Sequence, residues 1–277
     1  MLQPEDFFDL KELGPQGLFQ EVEFVWDVLG RLKTYLTETL SPNVSRLCGD
    51  MVTKTRVLWE GEVIEDGFVI AGGDASKGQL KVLKDGTELQ GASVVCAGAV
   101  LADDRIQLGK GTVIEPGALV KGPAMIGDHT EVRQGAYMRG NCLVGNGCVV
   151  GHTTEMKSSI MLDGAKAGHF AYIGDSILGR DVNLGAGTKL ANLKIVDTEI
   201  TLRIEGQTYK TGLRKFGAIL GDKVEMGCNS VSSPGTLLGK DSLVYPAVNV
   251  PGGYYPNNSV VSIKSKKILA VKSFKLR

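Results

Sequence analysis

Counted in sixes from Leu108, the chain places an aliphatic residue at every step: Leu108, Ile114, Val120, Ile126, Val132, Met138, Val144, Val150, Met156 and Leu162. Glycine often follows, as at Gly109, Gly127, Gly145 and Gly151. The register returns at Leu178, Leu184 and Leu190, and again through Leu220, Met226, Ser232, Leu238, Val244 and Val250. Neither a helix nor a simple strand ladder repeats in sixes. A coil of three short strands joined by three tight turns does. Each hexad then forms one flat face of a triangular prism, with the aliphatic residue pointing inward and small residues at the corners. The fold class is therefore mainly β: a parallel β-helix of hexapeptide repeats, preceded by a helical and small-β segment.

That preceding segment covers residues 1–90, and its role is not legible. The stretch "LFQEVEFVWDVLGRLKTYLTETL" spaces Phe19, Val22, Val25, Trp26, Leu29, Leu32 and Leu36 by threes and fours, which predicts one apolar stripe on a helix. "SPN" at 41–43 stops it. Short strands follow, and "VLKDGTEL" predicts a hairpin through a Lys-Asp-Gly turn. The β-helix is expected over 91–262, with a basic tail over 263–277.

The bulk properties exclude several classes. Lysine plus arginine equal aspartate plus glutamate at 31 each, so there is no charge footprint for nucleic acid or an anionic membrane. The five cysteines show no CxxC pair, which predicts reduced thiols in a cytoplasmic protein and no metal site. The opening "MLQPEDFFDL" is acidic and does not read as a secretory signal, and no stretch is long and apolar enough to span a membrane.

The count in sixes breaks twice. Leu162 to Leu178 is not a multiple of six, and the interval holds "KAGHFAYIGD" with His169, one of three histidines. Between Leu190 and Leu220 lies "KIVDTEITLRIEGQTYKTGLRKFG". A solenoid must keep its column intact, so this excursion, over 193–217, is expected to leave as a surface loop, with "RIEGQTYKTG" as a hairpin.

Several motifs carry a resemblance: "EMK" at 155–157, "KAGHFAYIGD" at 166–175 and "VNLGAGT" at 182–188. Over roughly residues 95–255 the chain resembles the hexapeptide-repeat, left-handed β-helix acetyltransferase domain of bifunctional N-acetylglucosamine-1-phosphate uridylyltransferases. "GAGTKLANLK" and "TGLRKFGAILGD" look more like the archaeal-type sugar-1-phosphate nucleotidylyltransferases. The nucleotidyltransferase half has no counterpart here, so the resemblance implies the acetyltransferase half alone.

What the resemblance implies is transfer of acetyl from acetyl-CoA, as co-substrate, to the amine of glucosamine- or galactosamine-1-phosphate. Such a transfer needs a base for the amine proton, donors for the developing oxyanion, and two substrates held in contact. Histidine is the natural base near neutral pH. The matching positions make His169 that base and Asn192 an active-site asparagine. Arg139, Lys157, Arg214 and Lys215 match phosphate donors. Tyr172 and Asn183 match sugar contacts. Ala186, Cys228 and Pro246 match coenzyme A positions, Cys228 standing where serine is common. The family also implies a homotrimer with the site between chains. The sequence departs from its bacterial members after "GAGT", where "KLANLK" replaces an Asn-Tyr-Asp-Gly loop, so the sugar is left open.

Two rival classes remain. A γ-type carbonic anhydrase would need three histidines converging on zinc, two of them closely spaced on one chain. His129, His152 and His169 are far apart along the sequence and are not expected to converge. A non-catalytic β-helix scaffold or regulatory partner of a separate sugar-phosphate nucleotidyltransferase is the other. Joint retention of His169, Arg139, Lys157, Tyr172 and Asn183 argues against it.

Overall fold

A computed structural model describes residues 2–12 and 14–263. The β-helix is present. Its first face stacks nine parallel strands from Ser93–Val95 to Val260–Val261, its second eight from Val100–Leu101 to Asn249–Val250, and its third eight from Ile106–Leu108 to Gly253–Tyr255. The chain visits the faces in that order in every coil. One inward residue per hexad builds the column. On the second face, Leu101, Val120, Met138, Met156, Ile173, Leu190 and Val250 are all fully buried in one continuous core. Such a core is long and thin, so each coil depends on its neighbours for burial. The corners hold left-handed backbone, and not only at small residues. Between the first and second faces it falls on Gly135, Thr153, Phe170, Gly187, Asn229 and Ala247 in turn.

The structure corrects the counting. The strand partners Ile126↔Val144 are three full hexads apart, but Val144↔Met161 and Met161↔Leu178 each fall one position short of that. The inward residue after Met156 is therefore Met161, not Leu162. Leu162 lies on the opposite side of the wall, buried in a second apolar cluster. The step from Met156 to Met161 drops one position and the step from Ile173 to Leu178 drops another. Both omissions fall at the corner between the second and third faces, where Ser158 and Asp175 each take φ +44°. The coil bearing His169 keeps its sixes from Ala167 to Ile173. No break in the repeat lifts the histidine out of the coil.

The third face is apolar outside as well as inside. Leu143, Ile160, Ile177, Ile219 and Leu237 occupy its outward row and are buried. The N-terminal segment covers them. Val28, Leu32 and Leu36 of the helix Asp27–Thr39 pack there with Phe7, Phe8 and Trp26. Each such side chain withdrawn from water contributes about 1.5–3 kcal/mol. The predicted helix is shorter than its apolar stripe. Phe19 belongs to a separate turn, Gln16–Phe19, and the chain reverses at Glu21 with φ +53°. Arg31 fixes that reversal by donating to the carbonyls of Gln20 and Glu21 at 2.7 and 2.6 Å.

Both predicted hairpins form. Lys81–Lys84 pairs with Thr87–Glu88 across Asp85 and Gly86, and Thr201–Ile204 pairs with Gln207–Lys210 across Glu205 and Gly206, all four turn residues being left-handed. The second hairpin does not project freely as the excursion was expected to. Ile200, Leu202 and Ile204 are buried, and Tyr209 meets Phe24 and Trp26 edge-on at 5.8 and 6.3 Å. The basic tail beyond Ile263 lies outside the described residues.

Ser232 interrupts the aliphatic row between Leu190 and Val250, fully buried with its hydroxyl unpartnered among the described residues. A buried hydroxyl without a partner costs about 1–3 kcal/mol. Ser232→Ala is therefore expected to stabilise the protein by about 1 kcal/mol, raising the thermal midpoint by about 2–4 °C. An unchanged or lower midpoint by calorimetry would contradict this.

Candidate active site

The regular coils turn sequence spacing into a column along the corner between the first and second faces. Gln134, His152, His169, Ala186, Cys228 and Pro246 occupy the same position in successive coils, each at a fixed offset beyond the register partners Glu131, Val149, Lys166, Asn183, Glu225 and Leu243. The backbone ladder follows the column. Phe170 N–H donates to His152 O at 2.7 Å, Gly187 N–H to His169 O at 3.0 Å, Asn229 N–H to Ala186 O at 2.8 Å and Ala247 N–H to Cys228 O at 2.9 Å. His169 is thus held through its main chain while its ring stays exposed, 6.0 Å from the Phe170 ring. Phe170 itself is left-handed, a conformation costing a bulky residue about 1–2 kcal/mol. One coil back, His152 Nδ1 lies 3.0 Å from the Gln134 carbonyl, so that nitrogen carries the proton.

The second face, entered directly after this corner, is polar outside. Lys157 pairs with Asp175 at 3.0 Å, the two side chains only 19% and 15% exposed. The Asn192 amide donates to the same carboxylate, and Tyr172 Oη donates to Asn192 Oδ1 at 3.3 Å. Arg139 pairs with Glu155 at 2.7 Å. Burial, reinforced by the Glu155 and Asp175 carboxylates, pushes the Tyr172 phenol up from its ordinary value, so it stays a protonated donor. The local sequence explains the geometry. The shortened corner puts Asp175 in the left-handed region that aspartate tolerates, and a Cβ on Gly174 would stand 2.7 Å from both Asn192 Nδ2 and Tyr172 Oη.

The remaining expected residues divide between two places. Asn183 lies on the first face, donating to Glu225 Oε2 at 2.9 Å, on a different face from Tyr172. It lines a groove of about 400 Å³ with Glu225, Met226, Cys228, Tyr245 and Pro246. Ala186 belongs to the column but not to that lining. Arg214 is held by Asp197 within the excursion, and Lys215 is exposed. Leu193 bridges Lys215, and Phe216 N–H donates to Asn192 O at 2.9 Å, so the excursion leaves and returns beside Asn192. Sequence reasoning missed Glu155 and Asp175, the carboxylates that hold Arg139, Lys157 and Asn192. Both stand inside the motifs "EMK" and "YIGD", where their signal was a cation one coil away.

The histidine spacing needs a correction. The interval from His152 to His169 is one shortened coil, so the two are direct register partners. His129 lies at a different corner, between the third and first faces, with φ +52°. No cluster of three or more metal-ligating side chains occurs among the described residues. No described helix is long and apolar enough to cross a membrane.

The sequence profile of the GMPPB C-terminal domain family matches residues 120–269. A bifunctional sugar-1-phosphate nucleotidylyltransferase/acetyltransferase of Sulfurisphaera tokodaii is 38% identical over 107 residues, covering 38% of this chain and 27% of that protein. A bifunctional protein GlmU of Methanococcus vannielii is 42% identical over 95 residues, 34% of this chain and 23% of that one. The chain therefore spans about a quarter of the length of these bifunctional relatives. An uncharacterized acetyltransferase, YaiX, of Escherichia coli is 31% identical over 170 residues, 59% of this chain and 74% of that protein. Among solved structures, the polysialic acid O-acetyltransferase OatWY aligns at 12% identity over 60% of this chain and 90% of its own, with a TM-score of 0.28.

Proposed function

This chain belongs to the GMPPB C-terminal domain family, and on that premise we propose that it moves an acetyl group from acetyl-CoA to the amine of an amino-sugar 1-phosphate. Acetyl transfer is in the names of two of its relatives, one of which also names a sugar 1-phosphate. The observation that carries the finer reading is the corner column. Of the two exposed imidazoles in it, His152 and His169, it is His169 that adjoins Ala186, in line with Cys228 and Pro246, and the cation-bearing second face follows this corner.

In this reading the pantetheine arm lies along the column, with Cys228 and Pro246 in the groove that Asn183 also lines. The amine nitrogen attacks the thioester carbon as His169 takes its proton. The carbon–sulfur bond then breaks, and the proton passes to the leaving thiolate. The Ala186 N–H donates to no acceptor among the described residues, so it is free for the oxyanion. Arg139 and Lys157, each steadied by a carboxylate, hold the phosphate, with Arg214 and Lys215 approaching from the excursion. Tyr172, Asn183 and Asn192 orient the sugar. A homotrimer completes the reading: the third face is closed by the N-terminal segment, so copies would meet through the other two. Action in the cytoplasm fits the scattered thiols.

The test is thiol release from acetyl-CoA with glucosamine-1-phosphate and with galactosamine-1-phosphate. Turnover is expected with at least one acceptor. A folded protein releasing no thiol with either would move the reading to another acceptor or to the non-catalytic scaffold, a partner of a separate nucleotidyltransferase.

A further inference from the structure

The basic row on the second face is longer than an amino-sugar monophosphate requires. Lys121 and Arg139 are register partners, and Lys157 lies on the next coil, one position beyond the Met138↔Met156 pair. Adjacent coils are about 4.8 Å apart, so the row runs about 14 Å from the coil of His169 to that of Lys121. In a 2-amino sugar the amine and the 1-phosphate sit on neighbouring ring carbons. With the amine at His169, a single phosphate points across the second face towards Lys157, which stands one coil back at the far end of its strand, as the register partner of Gly174.

Lys121 lies further out, and its surroundings differ from those of the other two cations. Lys157 and Arg139 each have a carboxylate, at 3.0 and 2.7 Å. Lys121 has none within ion-pair distance among the described residues. It is exposed, with its ammonium 5.3 Å from the centre of the Tyr137 ring. The Arg139 guanidinium flanks that same ring at 6.0 Å. Tyr137 is half-buried, in the row beside them. A phenol face between two cations, one of them without a counter-charge, forms an anion site with an aromatic wall.

We propose that Lys121, with Tyr137 and Arg139, forms a second phosphate subsite, so that the preferred acceptor is an amino-sugar 1-diphosphate of the nucleoside-diphosphate kind. This rests on the reading of His169 and Lys157 as the acetyl-transfer site. Lys157 engages the phosphate next to the sugar, Arg139 the linkage, and Lys121 the outer phosphate. The nucleoside end then lies along the earlier coils.

Two measurements separate this proposal from the reading beneath it. The first is calorimetric titration with inorganic pyrophosphate and inorganic phosphate, which needs no turnover. Pyrophosphate is expected to bind about tenfold more tightly than phosphate, and Lys121→Ala to abolish that preference while Lys121→Arg keeps it. Equal binding of the two anions, or a preference untouched by Lys121→Ala, would overturn the subsite. The second is the ratio of kcat/KM for uridine-diphosphate-glucosamine over glucosamine-1-phosphate, expected to fall about tenfold in Lys121→Ala. An unchanged ratio also overturns the subsite and leaves acetyl transfer standing. Thiol release with neither acceptor would reject the acetyl-transfer reading, and the pyrophosphate titration would still decide the subsite.

Discussion

His169→Ala is expected to lower kcat for acetyl transfer by about 10² to 10⁴-fold, the usual loss on removing a general base. The fold should not change. The imidazole is exposed and belongs to no apolar cluster, while the residue's structural bonds run through its backbone. An unaltered thermal midpoint must therefore accompany the loss. The check is steady-state thiol release by wild type and variant, with His152→Ala alongside. His152 occupies the same corner one coil away, so it is the alternative base. A His169→Ala enzyme within threefold of wild type would remove His169 from the chemistry. A large loss in His152→Ala alone would move the role there.

The second large effect is on stability. A Cβ at Gly151 would stand 2.0 Å from the carbonyl oxygen of Gly168 and 2.1 Å from its carbon, both backbone atoms of the next coil. Neither can rotate away, so the coils bearing His152 and His169 must separate. Gly151→Ala is expected to cost about 3 kcal/mol, the upper part of the range for overpacking. That lowers the thermal midpoint by roughly 6–12 °C in a chain of this size. Gly168→Ala is the control. Its Cβ meets nothing within 4 Å and its backbone is not left-handed, so the midpoint should move by less than about 2 °C. Equal effects from the two would show that the coil spacing does not set the tolerance.

The two glycines illustrate how much of the site is readable. "VGHTT" and "AGHFA" look alike in sequence, and both precede a histidine of the column. Only one is packed against another backbone. The difference is made by the neighbouring coil, a whole turn of the solenoid away in sequence, and not by the residues beside either glycine. The same separation explains why the sequence alone does not show His152 as a neighbour of His169. Full coils and coils one position short occur in the same stack, and the omissions at Ser158 and Asp175 are invisible while Leu162 can stand in for Met161. Asp175 is the clearest case. It belongs to the quoted motif, yet its role as the acceptor for Lys157 and Asn192 appears only once the shortened corner is built.

The third face shows the opposite situation. Its strands read "CLV", "SIM", "AIL" and "TLL", apolar on the residue between the inward positions as well. A strand apolar on both sides is one covered on both sides. The signal for the N-terminal cover was therefore present, alongside an apolar stripe from Phe19 to Leu36 that needed a surface to bury.

By itself the sequence determined the class of fold, because aliphatic side chains recurring in sixes have only one compact way to be buried together. It also determined both hairpins, since their turn residues tolerate left-handed backbone. Tertiary structure decided the length of each coil, the neighbour of each histidine, the carboxylate partners of Arg139 and Lys157, and the seating of the excursion on the N-terminal aromatics. All of these depend on register between coils, some consecutive in sequence and one pair separated by the whole excursion. Register is a property of stacked backbones that no local run of residues records.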